Sequence, residues 1–535
     1  MPLHSPILAA FGPLDWSIVA AYFILVIVIG FLVSRHDTTE SEFFLGNRSM
    51  PTWAVAISLV ATMLSAVTFV GVPDIAYKGN LSYLILNLGG ILAVFFVAYF
   101  FVPRLYAAGT VTIYGFLAQR FGEPARLAVS CAFILGRMLS SGARLFTAAI
   151  PLCLLLFGNA SPPLWQVLIA IALIGVIGTI YATAGGVRAV VWVDTLQFTL
   201  VMGAALLTIG ILLHRLHMPA PDILAALSHP AATAPSKLAL LDLSLNPASE
   251  FTLWTALIGN TFLMTAALGV DHDLAQRFLI TKSAFRGGIS VIASQFIGIV
   301  VVSLFLFIGL LLFLFYQRAD PSVQRPQAGL ATYPWFLLHE LPTGLAGISI
   351  VGFFAIAQGS LDSAMNALAA SIVSDVYTPL RQRRSLSVPQ ISNLKSPISN
   401  LQSPAPRPHA PKFAVAAVGI GLTLLAMLCA LAFNPKSSIL SYVLSLMGFA
   451  YSGMLAVFLT ALFTRRGNAN TVIAALLTGM LLSVILHISV MPLWTPLLFG
   501  TKIELAWPWS MPLATLAAFL VCITGKPAAT ALAKS

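Results

Sequence analysis

Stretches of about 20 predominantly apolar residues recur from one end of this 535-residue chain to the other, and that recurrence limits the fold more than any other feature. At about 1.5 Å per residue, each is long enough to cross a hydrocarbon layer roughly 30 Å thick as a helix. Thirteen are read, near 15–34, 51–72, 82–106, 124–157, 163–184, 189–214, 251–270, 287–316, 344–376, 413–433, 438–463, 470–490 and 508–524. With 59% apolar and 8% charged residues, the chain cannot be dissolved in water as a monomer. The spacing predicts an all-α polytopic membrane protein of about 13 transmembrane helices. The first stretch has no basic residue ahead of it and is longer than a signal core, so it is expected to stay in the mature chain. Cys131, Cys153, Cys429 and Cys522 all fall inside apolar stretches without metal or disulfide spacing, which points to packing.

Lysine and arginine set the expected orientation. Placing the N-terminus outside and the C-terminus in the cytoplasm puts 19 of the 28 basic residues in cytoplasmic connections. It leaves seven outside (Lys78, Arg215, Lys237, Arg318, Arg325, Lys436 and Lys502) and two, Arg137 and Arg144, within the fourth stretch. The formal net charge of +11 is thereby accounted for as a topology signal, and no nucleic-acid partner is needed to explain it. The bias suits a bacterial inner membrane or a eukaryotic plasma membrane, and short loops favour the former.

The connection 380–412 differs from its surroundings. It holds ISNLKSP, then ISNLQSP, then PAPRPHAP, a composition that builds no core and reads as a flexible linker whose deletion is tolerated. The external stretch 217–250 carries Pro219, Pro221, Pro230, Pro235 and Pro247, which argues against a continuous helix there. Two stretches are polar and small at mid-depth: the second, with Ala61-Thr62-Met63-Leu64-Ser65-Ala66-Val67-Thr68 before Gly71 and Pro73, and the seventh, with Gly259-Asn260-Thr261 and Thr265-Ala266-Ala267-Leu268-Gly269. Such centres suit interrupted helices, whose freed backbone groups must face a cavity. They lie five stretches apart, and five-helix repeats enter the membrane in opposite senses. The expected organisation is an N-terminal helix and loop (1–50), a first five-helix repeat (51–215), an external loop (216–250), a second, inverted repeat (251–465) containing the linker, and two peripheral helices (466–535). Five-plus-five inverted repeats with discontinuous helices are an alternating-access architecture.

An ionised group near mid-membrane costs at least about 2.5 kcal/mol, so Arg137, Arg144, Asp194 and Asp362 need an account. Arg137 and Arg144 are seven residues apart, on one helix face. They pair with a buried carboxylate or reach an interface, or one of them grips an anionic solute through two parallel hydrogen bonds. Each aspartate either bonds neighbouring hydroxyls or takes part in holding a cation. Ser360 and Ser363 are one turn apart with Asp362 beside them, and carbonyls freed in the second stretch could complete an oxygen shell.

These residues resemble a known family. The run Ile180-Tyr181-Ala182-Thr183-Ala184-Gly185-Gly186-Val187-Arg188-Ala189-Val190-Val191-Trp192-Val193-Asp194-Thr195-Leu196-Gln197 resembles the characteristic segment of the sodium:solute symporter family. Phe43-Phe44-Leu45-Gly46-Asn47-Arg48-Ser49-Met50-Pro51, Asp271-His272-Asp273-Leu274-Ala275-Gln276-Arg277 and Gly359-Ser360-Leu361-Asp362-Ser363-Ala364-Met365-Asn366 with Asp375-Val376-Tyr377 are similar to three more of its motifs, in order, over about 40–465. The resemblance implies a leucine-transporter-like fold and Na+ as coupling ion. It implies a sodium site from the carbonyls of Ala61, Leu64 and Ile356 and the Ser360 hydroxyl. Gly359 stands where the family usually has a second hydroxyl. Asp194, Asp362 and Ser363 match positions that build or support an additional cation site in some relatives, and Asp362 could instead carry a proton. The implied solute cavity contains Ser65, Thr68, Asn87, Arg144, Asn260 and Ser445, with Arg137 as a further candidate.

Gly142-Ala143-Arg144-Leu145-Phe146 is similar to a stretch of proline carriers, but the second helix is not, and Ala267 and Leu268 stand where sugar carriers have aromatic residues. The expectation is sodium-coupled symport of a small organic anion or zwitterion, with the lipid bilayer as surroundings and no obligate protein partner. The alternatives are a proton-coupled symporter of the same fold or a transporter-like solute sensor. Against a sensor, the chain runs only about ten residues past its last apolar stretch. Against an intramembrane enzyme, Asp271-His272-Asp273 is local, lacks His-Glu-x-x-His spacing and is expected at a cytoplasmic loop.

Overall fold

The computed structural model describes residues 11–34, 40–159, 162–183, 186–230, 235–318, 332–381, 410–432, 439–487 and 490–527. The linker expected at 380–412 therefore lies almost wholly outside the described residues, as does Gly185. Among the described residues all regular structure is helical, apart from one isolated parallel bridge between Met50 and Thr281.

In chain order the main helices are α1 (Pro13–Ser34), α2 (Thr52–Met63), α3 (Ala66–Lys78), α4 (Ser82–Ala108), α5 (Glu123–Phe157), α6 (Leu164–Ala182), α7 (Val187–Leu216) and α8 (Thr255–Val270). There follow α9 (His272–Leu279), α10 (Ala284–Arg318), α11 (Leu345–Arg381), α12 (Ala410–Ala432), α13 (Ile439–Phe463), α14 (Ala469–Ile485) and α15 (Trp507–Ile523). Each expected apolar stretch is occupied by one of these helices or by a bent pair. Seven are long and apolar enough to span a bilayer singly, and counting α2 and α3 as one bent span makes up to eight. Thirteen crossings is a count made on the sequence. The stretch 217–250 holds the short helix Ala220–Ser228, in keeping with its prolines.

Burial separates centre from periphery. In α11 and α5, 89% and 83% of the apolar window is buried, against 28% in α1. Lipid offers no hydrophobic drive for helix association, so close approach of small residues does much of the holding. A Cβ on Gly89 of α4 would lie 2.0 Å from Ala256 O of α8, and one on Gly309 of α10 would lie 2.1 Å from Pro73 O of α3. Only glycine lets those backbones meet. At the edge, the fully buried Asp15 accepts from the N–H groups of Gly12 (2.8 Å), Gly344 (2.7 Å) and Gly347 (2.7 Å). That carboxylate ties α1 to the positive N-terminal end of α11.

The two expected interruptions differ. The second stretch breaks between Met63 and Ala66 with a 69° bend. The seventh is not interrupted at Gly259-Asn260-Thr261: it winds through a wide π turn, Thr255–Asn260, and continues to Val270. Its discontinuity falls at Asp271, extended at φ −83° and ψ 117°, before α9 begins. A π turn widens the helix without opening its backbone, which is how the small residues at 259–261 are accommodated.

Candidate cation and solute sites

At the α2–α3 break the backbone releases carbonyl oxygens. Leu64 and Ser65 are both extended (ψ 145° and 173°). Ser65 N, which an unbroken helix would direct to Ala61 O, turns to Thr68 Oγ1 (3.4 Å). Thr68 N, which would take Leu64 O, bonds Ser65 O (2.9 Å). Ser65 and Thr68 thus cap α3 reciprocally, and the break frees the carbonyls of residues 61–64, among them those of Ala61 and Leu64 named from the sequence. Ile356 and Ser360 lie on the facing helix α11, which packs against α2 and α3, and all four residues are buried. The Ser360 hydroxyl donates to Ala357 O (3.2 Å) on its own helix.

A few residues away is an ionic network sealed from solvent. Asp194 of α7 accepts from Ser58 Oγ of α2 (2.5 Å) and lies 3.9 Å from Arg277 Nη2. Arg277 is also 3.9 Å from Asp273 Oδ1 and donates to Ser363 Oγ (2.5 Å), and Ser363 in turn donates to Asp273. Thr62 Oγ1 of α2 lies 3.3 Å from Ser363 Oγ. Arg137 donates to Asp271 (3.0 Å) and to Asp273, and Tyr451 of α13 donates to Asp271. The three aspartates and Arg277 are fully buried, and Arg137 is 2% exposed. Asp362 is buried next to this network, and its Oδ1 accepts from Ser363 N (2.8 Å).

The sequence reading missed much of this. Asp271-His272-Asp273 was expected in a cytoplasmic loop. It instead occupies the break after α8, with both carboxylates on Arg137. Two acids and an arginine directly after an apolar stretch are costly to bury singly, and that was the available signal. Tyr451 carries none.

Beside the break, a cavity of about 140 Å³ is lined by Ser65, Thr68, Arg137, Arg144 and Asn260 together with Met63, Tyr83 and Trp507. Five of the expected solute residues are thus brought together. Asn87 lines an adjoining cavity that shares Thr68, Tyr83 and Asn260 with the first, and its Oδ1 accepts from Gln295 Nε2 (3.1 Å). Ser445 lies on α13 where side chains are outside the described residues. Of the two arginines, Arg137 faces the cavity while held by two carboxylates, and Arg144, 8% exposed, forms its wall two turns further along α5.

The sequence model of the sodium:solute symporter family matches residues 43–395. The chain is 26% identical over 487 residues to the sodium/sialic acid symporter SiaT of Proteus mirabilis, covering 90% of each chain. It is 26% identical over 485 residues to the human sodium/iodide cotransporter (88% of this chain, 69% of that one) and 27% identical over 461 residues to mouse sodium-coupled monocarboxylate transporter 1 (83% and 68%). Among solved structures, the substrate-bound outward-open state of a Na+-coupled sialic acid symporter matches with a TM-score of 0.76 at 22% identity, over 96% of this chain and 97% of that one. The likeness over nearly the whole length gives the fold as the inverted-repeat, discontinuous-helix architecture expected from the sequence.

Proposed function

The chain belongs to the sodium:solute symporter family, and from that premise we propose that it carries a small organic anion or zwitterion together with sodium, the solute's carboxylate resting on Arg144. Sodium-coupled symport across a membrane is the activity of the family and of its relatives. The solute class, the orientation with the N-terminus outside, the repeat limits 51–215 and 251–465, and the residue roles are this proposal's own.

One observation carries the solute class. A buried guanidinium lines the same cavity as two hydroxyls, Ser65 and Thr68, and the Asn260 amide, a donor set matched to a carboxylate beside a polar group. The three relatives described above are named for sialic acid, iodide and monocarboxylates, each an anion at neutral pH. The released Ala61 and Leu64 carbonyls, with Ile356 and Ser360, supply neutral oxygens for one sodium. Asp194, with Asp362 and Ser363, supplies a charged site for a second cation.

The ionic network offers a physical link between cation and solute. Arg277 stands 3.9 Å from both Asp194 and Asp273. A cation at Asp194 weakens its pull on Arg277, which moves toward Asp273 and loosens that residue's hold on Arg137 at the cavity wall. Cation and anion binding then favour one another, and each does so to the same degree.

The test is uptake into proteoliposomes under a sodium gradient, with N-acetylneuraminate, lactate, iodide and an uncharged sugar as solutes. Sodium-dependent uptake confined to the acids, weakened by Arg144→Lys, is expected. Uptake of the sugar alone would remove Arg144 from the role assigned to it.

A further inference from the structure

Helix α15 opens with Trp507-Pro508, and both residues are buried. Proline suits the first turn of a helix, where its missing N–H costs nothing. Here it sets the helix start hard against α8: a Cβ on Gly259, in the π turn, would lie 2.4 Å from Pro508 O. On the other side of Trp507, Ala506 N donates to Pro247 O (2.9 Å), in the segment leading into α8. The indole is thus anchored through both of its chain neighbours. It lines the solute cavity together with Asn260, the residue after Gly259.

Two observations give that indole a task. The first is room. The cavity that holds both arginines measures about 140 Å³, and a cavity of about 150 Å³ accepts benzene, so the space suits about six non-hydrogen atoms. The adjoining cavity, which shares Thr68, Tyr83 and Asn260 with it, is lined by neither arginine. An acid resting on Arg144 must therefore fit beside Trp507. The second is an unmatched donor. Trp507 is 7% exposed, and its Nε1 is buried with no acceptor among the described residues, whereas a buried indole N–H usually has one.

We propose that Trp507 is a specificity-determining residue: its ring limits the solute to short acids of about six non-hydrogen atoms, and its N–H selects those with an oxygen beyond the carboxylate, such as a 2-hydroxy or 2-oxo acid. The inference rests on the anion reading given above and narrows it. A ring fixed at both chain neighbours cannot retreat without moving α15 from α8, so extra bulk in the solute meets an overpacked wall. The solute's second oxygen gives the N–H the acceptor that the protein does not.

The experiment measures sodium-driven uptake of lactate, propionate and N-acetylneuraminate into proteoliposomes holding native protein, Trp507→Phe or Trp507→Ala. Ratios between solutes are read within one preparation, which cancels differences in the amount of folded protein. Lactate and propionate share a carbon skeleton, and lactate adds a 2-hydroxyl. Native protein should favour lactate by about fivefold in kcat/KM, the scale of one net hydrogen bond, and should carry no N-acetylneuraminate. Trp507→Phe keeps a ring without the N–H and should bring the two short acids within about twofold of each other. Trp507→Ala opens the wall and should make N-acetylneuraminate uptake measurable, while raising the lactate KM about tenfold or more, as truncating a buried aromatic anchor does.

N-acetylneuraminate carried by native protein as readily as lactate overturns the size limit. A lactate to propionate ratio unmoved by Trp507→Phe overturns the donor role, and this comparison decides the matter if Trp507→Ala does not insert. If the acids are carried and neither variant changes their ratios, only this inference fails, and Trp507 is packing for α15. If native protein carries an uncharged sugar and no acid, the anion reading fails and this inference with it.

Discussion

Arg137→Gln is the substitution through which the sealed ionic network is best judged. The guanidinium donates to Asp271 and Asp273, and all three side chains are essentially inaccessible. Losing it leaves two carboxylates buried side by side. Asp271 would keep the Tyr451 hydroxyl and the Asp273 N–H (2.9 Å), and Asp273 the Ser363 hydroxyl. Breaking a buried pair from one side costs about 3–5 kcal/mol, chiefly because an uncompensated charge is stranded. Asp273→Asn leaves Arg137 on Asp271 and should cost less, about 1–3 kcal/mol for the disturbed hydrogen bonds. The double variant removes one charge of each sign and restores the native balance. It should therefore be more stable than the sum of single losses implies, by about 1–3 kcal/mol. Unfolding in mixed micelles of rising sodium dodecyl sulfate content, followed by tryptophan fluorescence, gives all four corners of the cycle. Strictly additive losses would refute the account, since they would mean that Arg137 and Asp273 do not sense each other's charge.

Ser360→Ala and Asp194→Asn should each raise the sodium concentration needed for half-maximal uptake while leaving the protein inserted, and normal sodium dependence in both would count heavily against the assigned sites. Arg144→Lys replaces a two-pronged donor by a point charge and should weaken binding of a carboxylate solute about tenfold, roughly 1.4 kcal/mol, read as the uptake KM. Unchanged affinity would take Arg144 out of the cavity's chemistry. Gly309→Ala places a methyl 2.1 Å from Pro73 O and should force α10 from α3, at a cost of about 1–3 kcal/mol for overpacking, seen as a lower midpoint in the same micelle titration.

How much of this was legible in the sequence depended on what each feature must satisfy locally. Helix positions were readable because length and apolarity alone decide them. The α2 break was readable because Ser65 and Thr68 are capping residues set within an apolar run, so the chemistry that ends one helix and starts the next is local. The same reasoning misplaced the second discontinuity. Gly259, Asn260 and Thr261 are small and polar for other reasons: Asn260 donates to Leu86 O (2.7 Å), Thr261 to Leu257 O (2.6 Å), and Gly259 packs against Pro508. Partners distant in sequence decide those positions. Arg137 illustrates the same limit. Its seven-residue spacing from Arg144 fixed the shared face, whereas its pairing with Asp271 and Asp273 depends on how α5 meets the α8–α9 corner.

Taken as ionised, Arg137 and Arg277 are outnumbered by the Asp194, Asp271 and Asp273 they approach, so these five groups carry one negative charge beyond their positives, and the neighbouring buried Asp362 adds to that excess. Burying such a charge uncompensated costs several kcal/mol, and a monovalent cation at Asp194 removes it. The released Ala61 and Leu64 carbonyls have no formal charge and take a second sodium on dipoles alone. Two sodium ions matter most if the solute is a monovalent anion. One sodium entering down a tenfold gradient releases about 1.4 kcal/mol, and a unit charge crossing 100 mV releases about 2.3 kcal/mol. A single sodium with such an anion moves no net charge, so the potential contributes nothing and accumulation stops near tenfold. A second sodium brings the potential back and raises the drive to about 5 kcal/mol, a several-thousandfold accumulation. Uptake of whichever acid the proteoliposomes accept should then rise steeply when valinomycin and a potassium gradient make the interior negative. Asp194→Asn, with one cation fewer, should make that uptake insensitive to voltage. Voltage-independent uptake of a monovalent anion by the native protein would mean that one sodium suffices and that the charge at Asp194 is balanced some other way.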